Sequence, residues 1–243
     1  MNYLSLFSGA GGGDLASQHL LGHKCVGYVE YEDYPQRVIA QRIKDGLLDE
    51  APIFGDIRAF ISEGYARAYQ GMVDVVTGGF PCQPFSAAGK QLGADDPRNM
   101  WPSTLQIIKT VNPRYAFMEN VAGLTVSGYF GTILGQLSEI GYDAKWTVLG
   151  ADMVGANHHR KRIWILAYPK MLDGAWSNEK KDRRPVGLSC KPGGHLWWET
   201  RPEPCRMDDG LAFGMDRLKA IGNGQVPQVA ATAWKILTDR GKR

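Results

Sequence analysis

No apolar run in this 243-residue sequence approaches the roughly 18 residues a membrane-spanning helix needs, so a helical membrane protein is not expected. Cysteine is scarce: Cys25, Cys82, Cys190 and Cys205 include no Cys-x-x-Cys pair and have no histidine at zinc-finger spacing. Neither a structural metal site nor a disulfide framework is therefore indicated. The start, Met1-Asn2-Tyr3-Leu4, carries no basic stretch, and no secretory leader is read there. A reducing cytoplasm fits these absences, and it keeps a thiol usable as a nucleophile. Excess charge of one sign is also missing, since the net charge is only +3. Its distribution is uneven: from His158 to Arg206 there are eleven Lys/Arg against five Asp/Glu, so any polyanion footprint belongs to the carboxyl-terminal third. The plainer reading of the same charges is a solvated basic loop.

What is present suits one full α/β domain with a small appendage, and the length is short for two independent cores. The organising stretch is Gly78-Gly79-Phe80-Pro81-Cys82-Gln83-Pro84-Phe85-Ser86, which follows the apolar run 73–77. That pattern predicts a buried strand that stops and delivers a loop. Ligands of open α/β sheets bind at the carboxyl ends of strands, so a thiol held there by a Pro-Cys-Gln-Pro frame is placed for chemistry. A buried structural cysteine is the simpler alternative for Cys82 taken alone.

Earlier in the chain, a short strand over 3–7 runs into Ser8-Gly9-Ala10-Gly11-Gly12-Gly13 and then a helical pattern with Leu15, Leu20 and Leu21. Strand, glycine turn and helix open a nucleotide-binding βαβ unit. The next strand, 25–29, ends in Glu30-Tyr31, about 20 residues on, where a carboxylate can accept from ribose hydroxyls. A helix begins at Asp33 and Pro35, and a third strand at Ile53-Phe54 ends in Gly55-Asp56-Ile57, where Asp56 can accept from an adenine amino group. These acids also suit ordinary helix caps. The strand 115–118 ends in Glu119-Asn120-Val121, and desolvation there raises a carboxyl pKa and keeps it available as a proton donor. Strands at 144–149 and 162–167 flank Gly155-Ala156-Asn157-His158-His159-Arg160-Lys161-Arg162, whose histidine pair lacks a third ligand at metal spacing.

Gly-Phe-Pro-Cys-Gln-Pro-Phe-Ser around Cys82 resembles the nucleophile motif of the DNA (cytosine-5)-methyltransferases, and the other motifs of that family follow in order. Residues 7–12 resemble its first motif, Glu30-Tyr31 the second, Asp56-Ile57 the third, Glu119-Asn120-Val121 the sixth, Arg160 and Arg162 the eighth, and Gly222-Asn223-Gly224-Gln225-Val226-Pro227 the tenth. The resemblance covers about 1–168 and 211–238. It implies a Rossmann-like S-adenosylmethionine-dependent methyltransferase fold, α/β, with a mostly parallel sheet and helices on both faces. The absence of a spaced Gly-x-Gly-x-x-Gly agrees with S-adenosylmethionine rather than a dinucleotide. The implied cofactor residues are Phe7, Ser8, Gly9, Ala10, Gly11, Gly12, Glu30, Tyr31, Asp56, Ile57, Phe80, Trp101 and Asn223. Trp101 stands where the family often sets an apolar residue against the cofactor, although helix packing explains it as well. Cys82, Glu119, Arg160 and Arg162 are the implied catalytic residues. Gln83, Ser86 and Lys90, with Arg183 and Arg184 of the basic cluster, are the expected contacts to double-stranded DNA.

Three departures stand out. Ser5 occupies a position where the family usually has Asp, a change expected to weaken hold on the methionine end of the cofactor; His158 replaces Gln; and no ninth motif is recognisable. The expected layout is a catalytic and cofactor-binding domain over 1–168, a reduced target-recognition segment over 169–210, and a carboxyl-terminal segment over 211–243 that returns to the catalytic domain. Stretch 86–99, with Gly89 and Gly93, suits a loop that closes on substrate. The expected particle is a monomer without metal or membrane contact. The reaction implied is covalent: Cys82 adds to carbon 6 of a flipped-out cytosine, Glu119 serves ring nitrogen 3, Arg160 and Arg162 hold the base and nearby phosphate, and carbon 5 takes the methyl. An RNA (tRNA) cytosine-5 methyltransferase of the same fold and a non-catalytic DNA-binding protein are the alternatives. The Asp/Asn-Pro-Pro-aromatic loop of amino-group methyltransferases is absent.

Overall fold

A computed structural model of the chain describes residues 1–81, 99–170, 222 and 224–239. Seven strands form one sheet: β1 (Asn2–Leu6), β2 (Lys24–Val29), β3 (Ile53–Phe54), β4 (Val75–Gly78), β5 (Tyr115–Val121), β6 (Tyr142–Leu149) and β7 (Arg162–Pro169). Their spatial order is β3-β2-β1-β4-β5-β7-β6. The first five are parallel, whereas β7 runs antiparallel to both β5 and β6. The chain reverses its direction of travel across the sheet beside β1, and that is where an open α/β sheet leaves a crevice.

Strand alternation builds a core on each face. Leu4, Leu6, Val76, Ala116, Met118, Ile163 and Ile165 point to one side. They meet α3 (Ile57–Ser62), α4 (Tyr65–Ala68), α5 (Trp101–Val111) and α6 (Gly128–Glu139). Tyr3, Val75, Tyr115, Phe117, Trp164 and Leu166 point to the other. There they meet the turn after α1 (Gly12–Leu15), then α2 (Asp33–Lys44) and α7 (Pro227–Thr238). Apolar residues three and four apart explain α7: Val229, Ala230, Ala233, Trp234 and Leu237 are buried on one stripe. Pro227 sits in its first turn, where the missing N–H costs nothing. Trp234 anchors the helix edge-on against Tyr115 and Phe117, at centroid distances of 5.5 and 5.3 Å. Segment 224–239 thereby packs on the face that bears the amino-terminal strand.

The helix expected through Leu15, Leu20 and Leu21 is interrupted. Four α-helical residues give way to a π-helical turn, Ala16–Leu20. The wider turn directs Gln18 inward, where its amide donates to the hydroxyls of Tyr3 and Tyr28 and its carbonyl accepts from the Asp49 amide at 2.8 Å. Those buried polar partners outweigh the regular i→i−4 ladder.

Candidate active site at the carboxyl ends of β1, β4 and β5

The glycine turn follows β1 directly. Phe7 takes φ 51°, an uncommon conformation for a residue with a side chain, and Gly9 and Gly11 are also left-handed. Ser8 Oγ donates to Ser5 Oγ at 2.9 Å, and Arg42 Nη1 reaches the Ala10 carbonyl at 2.5 Å. Glu30, at the end of β2, accepts from the Gly9 amide at 2.7 Å and from the Glu32 amide at 2.9 Å. Burial raises its pKa, and those amides oppose the rise. Glu30 thus holds the turn itself.

Ser5, Phe7, Ser8, Gly9, Asp14, Thr77, Gly79, Glu119 and Gln225 border an open cleft. Asp14 is a carboxylate that sequence reasoning missed. It is 1% exposed, accepts from the Tyr3 hydroxyl at 3.0 Å and is hydrogen-bonded by Ser5. Burial pushes it up to about 6 against those bonds. The cleft wall beside Ser5 therefore does carry an acid, supplied from α1 rather than from β1. Its signal in the sequence was Asp14 directly behind the glycines, in the first turn of α1.

Residues 77–81 leave β4 beside this cleft. Asn120 Nδ2 donates to the Phe80 carbonyl at 3.0 Å, tying the exit of β4 to the end of β5. One residue earlier, Glu119 points to the opposite face of the sheet, 8% exposed. Its Oε1 is 2.9 Å from Arg162 Nε. The register explains the meeting: β7 begins where β5 ends, with Val121 opposite Arg162 and Glu119 opposite Trp164. Burial raises the Glu119 pKa, while Arg162, Arg160 and the hydrogen bonds from Gln225 and Arg162 pull the other way. A smaller cavity behind it is lined by Glu119, Arg160, Arg162, Trp164, Gln225 and Val226. The buried Trp164 Nε1–H finds no acceptor among the described residues.

The structure gathers Phe7, Ser8, Gly9, Glu119 and Arg162 about one region, and it sets other expected residues apart from the cleft. Trp101 is 1% exposed, packs on Phe80 at 5.2 Å and donates from Nε1 to Gln136 at 2.7 Å. Trp101 and Phe80 are core residues because their rings fill the space beneath α5 and α6. Ile57 is likewise buried in that core. Tyr31 is 74% exposed and Asp56 caps α3 by accepting from the Arg58 amide at 2.8 Å. Neither borders the cleft, and nor do Ala10, Gly11 and Gly12. Arg160, at φ 27°, sends Nη2 to the carbonyls of Gly222 and Gly224 at 2.7 and 2.6 Å. Its hydrogen bonds tether the carboxyl-terminal segment. Cys82, Gln83, Ser86, Lys90, Arg183, Arg184 and Asn223 lie outside the described residues. Among the described residues no group of three or more His, Cys, Asp or Glu could hold a metal ion, and no helix is long and apolar enough to cross a membrane.

A mostly parallel sheet with this crevice defines the class: a Rossmann-like fold of the kind found in methyltransferases. A DNMT2 variant from Spodoptera frugiperda superposes with a TM-score of 0.55 at 24% identity, over 75% of this chain and 53% of that one. The S. pombe Dnmt2 methyltransferase gives 0.55 at 20% identity, over 75% and 57%. The family is particular. The model for C-5 cytosine-specific DNA methylases matches residues 1–189, and the chain belongs to that family. Among curated relatives, the type II methyltransferase M.NgoMIV of Neisseria gonorrhoeae is 32% identical over 82% of this chain and 61% of its own. M.CviJI of Paramecium bursaria Chlorella virus IL3A is 26% identical over 92% and 56%. The chain thus spans under two thirds of the length of these relatives.

Proposed function

We propose that the chain transfers the methyl group of S-adenosylmethionine to carbon 5 of a cytosine in double-stranded DNA, through a covalent adduct with Cys82. The observation that carries this reading is the pairing of buried Glu119 with Arg162, one strand away from the β4 exit that leads through Pro81 to the thiol. Ser5, Ser8, Gly9, Asp14 and the 77–79 backbone are the groups that would hold the cofactor. When bound, S-adenosylmethionine supplies an electrophilic methyl on a sulfonium.

Carbon 5 of cytosine is a poor nucleophile, and covalent catalysis is the way round. The Cys82 thiolate adds to carbon 6 while Glu119, its pKa raised by burial, gives a proton to ring nitrogen 3. The resulting enamine places electron density on carbon 5. After methyl transfer, loss of the carbon 5 proton expels Cys82 and restores the ring. Arg162 fixes Glu119 and offers remaining donors to the base carbonyl. Both edges of one ring must be reached, so the base leaves the duplex, and the 86–99 loop is the segment suited to filling the gap. Residues 169–210 serve as the reduced reader of sequence. Residues 211–243 complete the catalytic unit.

The test is direct. The full chain is incubated with labelled S-adenosylmethionine and either mixed-sequence duplex DNA or tRNA, and products are hydrolysed to nucleosides. Labelled 5-methylcytosine from DNA is expected, with Cys82→Ser inactive. Full-rate transfer by Cys82→Ser would remove the covalent mechanism. Label in tRNA alone would move the substrate to RNA.

A further inference from the structure

Gln225 has no assigned role, yet it borders both cavities, and so does Glu119. Three glycines make room for it. A Cβ on Gly12 would strike the Gln225 carbonyl oxygen, and one on Gly13 would strike Gln225 Oε1. A Cβ on Gly79 would stand 2.7 Å from Glu119 Oε2 and 3.3 Å from Gln225 Nε2. One amide side chain therefore runs from the glycine turn to the Glu119 carboxyl, which it hydrogen-bonds beside Arg162.

We propose that Gln225 is a positioning residue for Glu119: its amide helps aim the carboxyl, so the acid is complete only when the carboxyl-terminal segment is docked. This rests on Glu119 being the group that serves the cytosine ring. An amide has both a donor and an acceptor, so it can meet the carboxyl oxygen charged or protonated. An arginine in its place would hold Glu119 ionised, and a leucine would take one donor from the buried carboxyl. Arg160 fits the same role at one remove, because it tethers Gly222 and Gly224 just ahead of Gln225.

The test titrates Glu119 in the full chain with its glutamate carboxyls labelled with carbon-13, the Glu119 signal being the one lost in E119Q. Neither cofactor nor DNA is needed. The charged and polar groups facing Glu119 are Arg162 from β7, Arg160 ahead of it and Gln225, with Asp14 across the cleft, and only Gln225 is altered. Q225L removes a donor to the ionised form, so the midpoint rises by roughly one pH unit. Q225N, one methylene short of the carboxyl, shows the same direction and keeps a polar side chain should Q225L fold poorly. Methylation kinetics then show kcat falling about tenfold with the KM for DNA unchanged. A midpoint moving by less than about 0.2 unit in both variants overturns the inference while leaving the reading of Glu119 intact. If E119Q methylates DNA at the wild-type rate, the reading of Glu119 fails instead, whatever Gln225 does to the titration.

Discussion

The parallel strands β1, β4 and β5 and the antiparallel pair β6 and β7 contribute to the site in different ways. Parallel strands present their carboxyl ends to one edge of the sheet, and the glycine turn, residues 77–81 and Glu119 accumulate there. A parallel neighbour could bring only another carboxyl end. Because β7 is antiparallel, its first residue meets the last residue of β5, and Arg162 arrives beside Glu119. The reversal of one strand thus converts an edge rich in acids and glycines into one with a counter-charge.

Arg162→Gln breaks the antiparallel contribution most sharply. It leaves Glu119 buried without its cation, and loss of one partner of such a pair costs about 3 kcal/mol or more. Urea denaturation should show this loss, and the double variant with Glu119→Gln should recover part of it.

Within the parallel half, Asp14 carries the largest electrostatic cost. Its carboxyl rises from 3.8 to about 6 on folding, so the folded state binds the extra proton between those values. The contribution of Asp14 to stability is therefore greatest below about 4 and falls as pH rises to about 6, by roughly 2–3 kcal/mol. Asp14→Asn should flatten that part of the profile of thermal midpoint against pH. A slope unchanged in the variant would assign the cost elsewhere.

A smaller effect tests how closely β1 and β4 approach. A Cβ at Gly78 would sit 2.6 Å from the Leu6 carbonyl oxygen, so Gly78→Ala should cost about 2 kcal/mol in chemical denaturation. The comparison has a surface control in Arg37, whose ion pair with Asp33 at 2.9 Å is exposed on both sides. Arg37→Ala should change stability by less than about 0.5 kcal/mol. A larger loss would mean that site electrostatics do not dominate as argued.

Much of the architecture was legible from local pattern. Apolar runs marked all seven strands, several of them ending in glycine or an acid, and the order of motifs marked Glu119, Arg162 and the turn after β1. Less legible was which marked residues face the cleft. Asp56 and Ile57 adjoin in sequence, but one caps α3 and the other fills the core, because a helix start turns successive side chains apart. Trp101 read as helix packing or a cofactor contact and Phe80 as a cofactor contact; the structure packs their rings together.

Amino-acid order by itself determined the strand ends, the acid on β5 and the family, since these depend on periodicity and short motifs. Tertiary structure alone decided that Arg162 meets Glu119, that Asp14 stands behind Ser5, and that Gln225 crosses from the last helix to the first turn. The first and last of those contacts join residues far apart in the chain. Their pairing follows from strand direction and helix docking, which no local stretch encodes.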